Sequence, residues 1–84
     1  MDRNDNIIDD LNNQRVEMKS ILDKYEYDRM ILLKMINKYG RSMSENTKSN
    51  IQDIVCEVEE YIEYAKIFLN DIEREYKEAL EYVS

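Results

Sequence analysis

The second half of the chain contains three neighbouring rows of apolar residues, each repeating every seven positions. The rows are Ile51, Val58, Ala65, Ile72 and Ala79; Ile54, Tyr61, Phe68, Glu75 and Tyr82; and Val55, Ile62, Leu69, Tyr76 and Val83. Glu75 is their one charged member. Residues seven apart lie on the same side of an α-helix, so the pattern predicts a helix with a broad apolar face. A simple coiled coil uses two such rows, and the third row therefore requires further packing.

A less regular apolar pattern in the first half predicts another helix, over about residues 6–39. Its rows are Leu11, Met18, Tyr25, Leu32 and Tyr39; Ile7, Gln14, Ile21, Asp28 and Met35; and Ile8, Arg15, Leu22, Arg29 and Ile36. Polar residues interrupt two of these rows. Asn6 is placed to cap the start, and Gly40, the one glycine of the chain, suits the left-handed position just after the end.

Residues 40–49 form a polar tract that is poor in helix formers and predicts the connection between the helices. Two capping boxes compete within it, one pairing Ser42 with Glu45 and the other pairing Ser49 with Gln52. We favour the later one, because the residues between them would make a weak first turn. The second helix is then predicted over about residues 50–83. A short connection folds two such helices back as an antiparallel hairpin, with one domain covering residues 1–84.

The hairpin has more apolar surface than two helices can bury against each other. Each helix of a pair buries about two rows in seven, whereas the second helix has three. Further apolar residues lie off the facing rows near the middle of the hairpin. We expect a partner-binding surface there, formed by Tyr27, Met30, Ile31, Tyr64 and Ile67. The fold class predicted is all-α, an antiparallel two-helix hairpin completed to a four-helix bundle by a second copy (a homodimer) or by another helical protein.

The predicted hairpin also implies a register between the helices. A turn centred near residue 45 sets Arg15 beside Glu75, and each of these residues interrupts an apolar row. Together they would form a partly buried ion pair.

The composition argues against several kinds of chemistry. Histidine is absent, which removes Ser–His and Cys–His pairs and His-containing metal sites. The single Cys56 excludes an internal disulfide. Glutamates recur every third residue in the second half, and we interpret them as a solvated acidic face rather than metal ligands. We expect no enzymatic activity, no cofactor and no metal.

The charge is concentrated in the second half of the chain. Residues 1–41 contain eight basic and eight acidic side chains, whereas residues 42–84 contain four basic and eleven acidic ones. An acidic surface disfavours direct nucleic-acid binding and favours a basic protein surface. No apolar run is long enough to cross a membrane, and no basic leader precedes an apolar segment. We therefore expect a cytoplasmic protein.

Two known families of helical hairpins are similar in architecture to this prediction. Tyr39-Gly40 resembles the Trp-x-Gly turn of the small secreted WXG-type hairpin proteins, without the spacer residue. Residues 55–59 (VCEVE) have the spacing of the Ser-x-x-Leu-Asp motif of the helical-hairpin aspartyl-phosphate phosphatases of sporulation, without the serine. Neither motif is complete, so no functional residue is carried over from either family.

The function predicted from these observations is a non-enzymatic protein–protein interaction module that acts through an apolar helical face. An adaptor, a secretion partner or chaperone, and a phage or mobile-element accessory protein all fit this description. The alternative is an acidic inhibitor whose second helix blocks the basic, nucleic-acid-binding cleft of a target enzyme.

Overall fold

The computed structural model describes the backbone of residues 3–83 and the side chains of residues 6–83. Helix α1 spans Arg3–Tyr39 and helix α2 spans Glu45–Val83, and the described residues include no strand. The two helices pack against each other in an elongated particle of 60 × 15 × 14 Å. The prediction of an all-α, two-helix hairpin is confirmed.

The local sequence accounts for the unbroken course of both helices. Neither contains proline or glycine, the two residues that most weaken a helix interior. Each has 37 residues or more. Even a long helix in a protein owes most of its stability to tertiary packing rather than to its intrinsic helix propensity. The apolar rows supply that packing.

The core lies mainly on α2. All buried apolar side chains among the described residues belong to this helix, namely Val55, Ile62, Ala65, Leu69 and Ile72. They come from two of its three rows. Helix α1 covers them with half-buried side chains, including Leu11, Met18, Leu22, Tyr25, Leu32 and Ile36. The two facing rows of α2 are thus the ones that begin at Ile51 and Val55, and the row of Ile54 remains outside.

Helix α2 begins at Glu45, earlier than the predicted start near residue 50. Ser44 is its cap: the Thr47 amide donates a hydrogen bond to Ser44 Oγ (3.1 Å), and Ser44 Oγ lies 2.9 Å from Thr47 Oγ1. The Lys48 amide donates to the Ser44 carbonyl (3.0 Å), which closes the first helical turn. The predicted cap at Ser49 is therefore wrong, because the Ser44 hydroxyl already accepts a hydrogen bond from the Thr47 amide at an earlier start.

Gly40 follows α1 without the left-handed backbone that the sequence suggested, since no described residue has a positive φ. Its amide instead continues the helical pattern and donates to the Ile36 carbonyl (2.8 Å). A Cβ at this position would collide with the same carbonyl oxygen. Glycine is required here by the close approach of the backbone, and not by its sign of φ.

Cross-helix contacts define an antiparallel register close to the predicted one. Tyr25 stacks on Tyr61 with ring centroids 5.6 Å apart, and Arg29 Nε lies 3.7 Å from Glu59 Oε1. The Arg15 guanidinium, however, lies over the ring of Tyr76, 5.0 Å from its centroid.

The predicted ion pair between Arg15 and Glu75 is not among the ion pairs of the described residues. Arg15 donates instead to Asn12 Oδ1 (2.9 Å), and its Nε is buried without a hydrogen-bond partner. The reason is rotational: Tyr76 belongs to a row that faces α1, whereas Glu75 belongs to the exposed row of Ile54.

Candidate protein-binding surface

The row of Ile54 on α2, which α1 leaves uncovered, and the row of Ile21 on α1 meet on one side of the hairpin. There Ile21 of α1 and Tyr61 and Phe68 of α2 line a shallow depression. Its other lining residues are Met18, Tyr25, Tyr64 and Ala65. The half-buried Tyr25 stacks on the exposed Tyr61, and this contact orients the Tyr61 ring in the depression.

A second depression continues the same side towards the connection. It is lined by Tyr27, Asp28, Ile31 and Leu32 of α1 and by Ile54 and Val58 of α2. Asp28 lies seven residues after Ile21, and Ile54 lies seven residues before Tyr61. Both depressions therefore open on the same side. We use the term apolar groove for the surface formed by Ile21, Ile31, Ile54, Tyr61, Tyr64 and Phe68.

The side chains of the apolar groove are substantially exposed to solvent. The exposed fraction is 50% for Tyr61 and 62% for Phe68. By contrast, Ile62, next to Tyr61 in the sequence, is only 3% exposed. Single exposed apolar residues are ordinary, whereas a contiguous set along one side of a small protein is a candidate for an interaction surface.

The opposite side of the hairpin is more polar. Arg29, Glu59, Glu63 and Lys66 line a depression above the buried Ile62, and Arg29 and Glu59 form the ion pair described above. Further along α1, Met30 and Leu33 line a depression together with Glu26, Arg29, Lys34 and Asn37. The apolar residues on this side are thus surrounded by charged side chains.

The structure separates the five residues predicted to bind a partner. Tyr27 and Ile31 line one depression of the groove side, and Tyr64 lines the other. Met30 lies on the opposite, polar side. Ile67 is 57% exposed and lines none of the depressions described above. All five are exposed, but they do not form one surface, and their role in binding stays a prediction.

Four groove residues lie outside the predicted surface: Ile21, Ile54, Tyr61 and Phe68. The signal that identifies them is present in the sequence, since Ile54, Tyr61 and Phe68 all belong to the row of Ile54 on α2. The sequence pattern places that row within the broad apolar stripe and does not show which part of the stripe faces α1. In this hairpin the row of Ile54 on α2 and the row of Ile21 on α1 lie on the same side, and this geometry locates the surplus surface.

The outer border of the groove along α2 is acidic. The row that contains Tyr64 begins at Asn50 and also holds Glu57, Asp71 and Glu78, all of them exposed. Asp71 accepts a hydrogen bond from Arg74 in its own helix (3.3 Å). Beyond Tyr64, a further depression is lined by Cys56, Glu59, Glu60 and Glu63. The Cys56 thiol is free and exposed.

Within the described part of the chain, no group of three or more Cys, Asp and Glu side chains is arranged to hold a metal ion. Neither α1 nor α2 contains a stretch long and apolar enough to cross a bilayer. Comparison of the chain with protein-family models, with curated proteins and with solved structures finds no match. A function is therefore proposed from the surface itself.

Proposed function

We propose that this chain is a non-enzymatic protein-binding module whose binding surface is the apolar groove. The observation that carries the proposal is the exposure of Tyr61, Phe68 and Ile54 along one continuous side of the hairpin. Burying apolar surface contributes about 25 cal/mol per Å², so a partner that covers this side gains affinity from each of these side chains. Aromatic residues are also among the residue types most enriched at interface hot spots.

The partner expected for such a surface is helical. Two long helices packed side by side leave a groove between them into which one or two further helices pack, as in a four-helix bundle. A second copy of the chain or another helical protein would complete the bundle. An adaptor, a secretion partner or chaperone, and a phage or mobile-element accessory protein are biological roles of this kind.

Adjacent residues on the two sides of the hairpin provide a matched test. Phe68→Glu places a carboxylate in the groove, whereas Ile67→Glu makes the same change one residue away, outside it. Likewise Ile31→Asp changes the groove, and Met30→Asp changes the polar side. We expect the groove variants to lose self-association or partner capture and the neighbouring variants to keep it.

Molar mass by light scattering, affinity capture and far-UV circular dichroism are measured for all four variants. Circular dichroism checks that each variant is still helical. A wild type that stays monomeric at high concentration and captures no helical partner would overturn the proposal. So would equal losses in the groove variants and their neighbours.

The acidic-inhibitor alternative is favoured by one observation, the exposed depression lined by Glu59, Glu60 and Glu63. Reversing these three residues to Lys separates the two functions. Exposed charge pairs contribute about 0–1 kcal/mol each, so a module that binds through the groove should tolerate the reversal. Loss of binding in the Glu reversal alone, with the groove variants unaffected, would favour the inhibitor in its place.

A further inference from the structure

We infer that the apolar groove takes an amphipathic helix of another protein, with basic residues along one flank of its apolar stripe, rather than a second copy of this chain. The inference rests on the proposed function of the groove and specifies the chemistry of its partner. It follows from the repeat of the groove residues and from the charge along the two borders.

The groove repeats at the period that a helix presents. Ile54, Tyr61 and Phe68 follow one another at seven-residue intervals, or about 10 Å along the axis of α2. A partner helix presents its own apolar rows at the same spacing, because residues seven apart lie on the same side. The two depressions, centred on Ile21 with Phe68 and on Ile31 with Ile54, offer successive holes for such side chains.

The border along α2 selects the charge of that helix. Glu57, Asp71 and Glu78 each lie three residues after a member of the exposed row, which makes them its neighbours on the helix surface. Among the described residues, Glu57 and Glu78 have no hydrogen bond or ion pair, and Asp71 meets only the exposed Arg74. Lys or Arg on the partner's flank would pair with these carboxylates and strengthen steering and orientation.

A second copy of the chain lacks this complementarity. A two-fold dimer brings the same surface of each copy together, so the interface contains two acidic borders, one from each copy. Among residues 6–83, the corresponding border of α1 carries Asp10, Glu17, Lys24 and Lys38, two charges of each sign, and therefore has no excess of positive charge to neutralise the acidic borders. Each copy also contributes a net charge of −7. Like charges at an interface oppose association.

Two designed peptides serve as probes. Each has roughly 21 residues, or three heptads, with Leu at the first and fourth positions of each heptad. One carries Lys at the flanking positions and the other carries Glu there. Binding to the full chain is measured by fluorescence anisotropy. We expect the Lys peptide to bind about tenfold more tightly than the Glu peptide at about 0.1 M salt, with a smaller difference at about 0.5 M salt.

Two charge-reversal triples locate the effect. The border triple is Glu57→Lys, Asp71→Lys and Glu78→Lys. The control triple makes the same change in net charge on α1, outside the groove: Asp9→Lys, Asp23→Lys and Glu26→Lys. We expect the border triple to reverse the preference for the Lys peptide and the control triple to retain most of it. Phe68→Glu should weaken both peptides.

The outcomes distinguish this inference from the proposed function. Equal affinity for the two peptides, or equal effects of the two triples, would overturn the inference. A third outcome is a wild-type dimer that dissociates in the Phe68→Glu variant but is not displaced by the Lys peptide. In that case the groove is still the binding surface, but its partner is a second copy of the chain rather than a basic helix. If Phe68→Glu changes neither the molar mass of the protein nor its capture of a helical partner, both the inference and the proposed function are wrong.

Discussion

Helices α1 and α2 have nearly equal lengths but unequal shares in the core. Every buried side chain among the described residues belongs to α2, whereas the side chains of α1 that face it remain half-buried. The difference corresponds to the regularity of the apolar rows, which is greater in α2. Polar residues such as Arg15 and Asn12 occupy contact positions in α1 without becoming fully buried. Arg15 donates to Asn12 Oδ1 and lies over the ring of Tyr76, while its Nε is buried without a hydrogen-bond partner.

This difference also accounts for the position of the unused apolar surface. Helix α2 has three apolar rows, and α1 is wide enough to cover only two of them. The remaining row lies beside α1, and Ile21 and Ile31 extend the exposed surface onto that helix. The helix that dominates the core therefore also dominates the candidate binding surface.

The largest expected effect on stability comes from truncating one core residue in each helix, and it tests the difference between α1 and α2. Ile62→Ala removes a side chain that is 3% exposed and should lower the free energy of unfolding by about 3 kcal/mol. Leu22→Ala, at a half-buried position of α1, should cost roughly half as much. Urea denaturation at a concentration where the chain is monomeric measures both. Equal costs would show that α1 is as deeply packed as α2.

A smaller effect is expected where the helices join. Ser44→Ala removes the hydroxyl that caps α2 and should cost about 1 kcal/mol. Ser49→Ala lies inside the helix and should be neutral or slightly stabilising, because alanine is the better helix former. Denaturation of both variants, with backbone chemical shifts over residues 44–50, checks the result. A larger cost for Ser49→Ala would restore the later start of α2.

The sequence is sufficient to predict two helices packed against each other, because a seven-residue apolar repeat sustained over most of a segment is typical of a helix packed along one side. It did not determine the start of α2. Competing caps differ by only about 1 kcal/mol, and Ser44 lacks the Glu or Gln three residues later that marks a capping box. Gly40 was located correctly at the end of α1, but its reason for being glycine depends on the path of the backbone near the Ile36 carbonyl.

The sequence predicts a surplus of exposed apolar side chains, but it does not predict how they are arranged on the hairpin. The surplus of apolar residues followed from counting rows, and Ile31 and Tyr64 do line the groove. Met30 lies on the other side because one residue turns a helix by about 100°. Whether Tyr61 and Phe68 face α1 or solvent depends on the rotation of α2 about its axis. A broad apolar stripe leaves that rotation open until its partner is positioned.

The smallest predicted effect concerns the same rotation. Arg15 lies over the ring of Tyr76, so a double-mutant cycle with Arg15→Met and Tyr76→Leu should give a coupling energy of about 0.5–1 kcal/mol. A cycle that combines Arg15→Met with Glu75→Gln should give a coupling near zero, since Glu75 is exposed in the row of Tyr61. Both are measured by urea denaturation at low salt. Strong coupling between Arg15 and Glu75 would indicate a different rotation of α2 about its axis, with the row of Tyr61 and Phe68 facing α1. The apolar groove would then be part of the core, and the asymmetry between the two helices would no longer provide a binding surface.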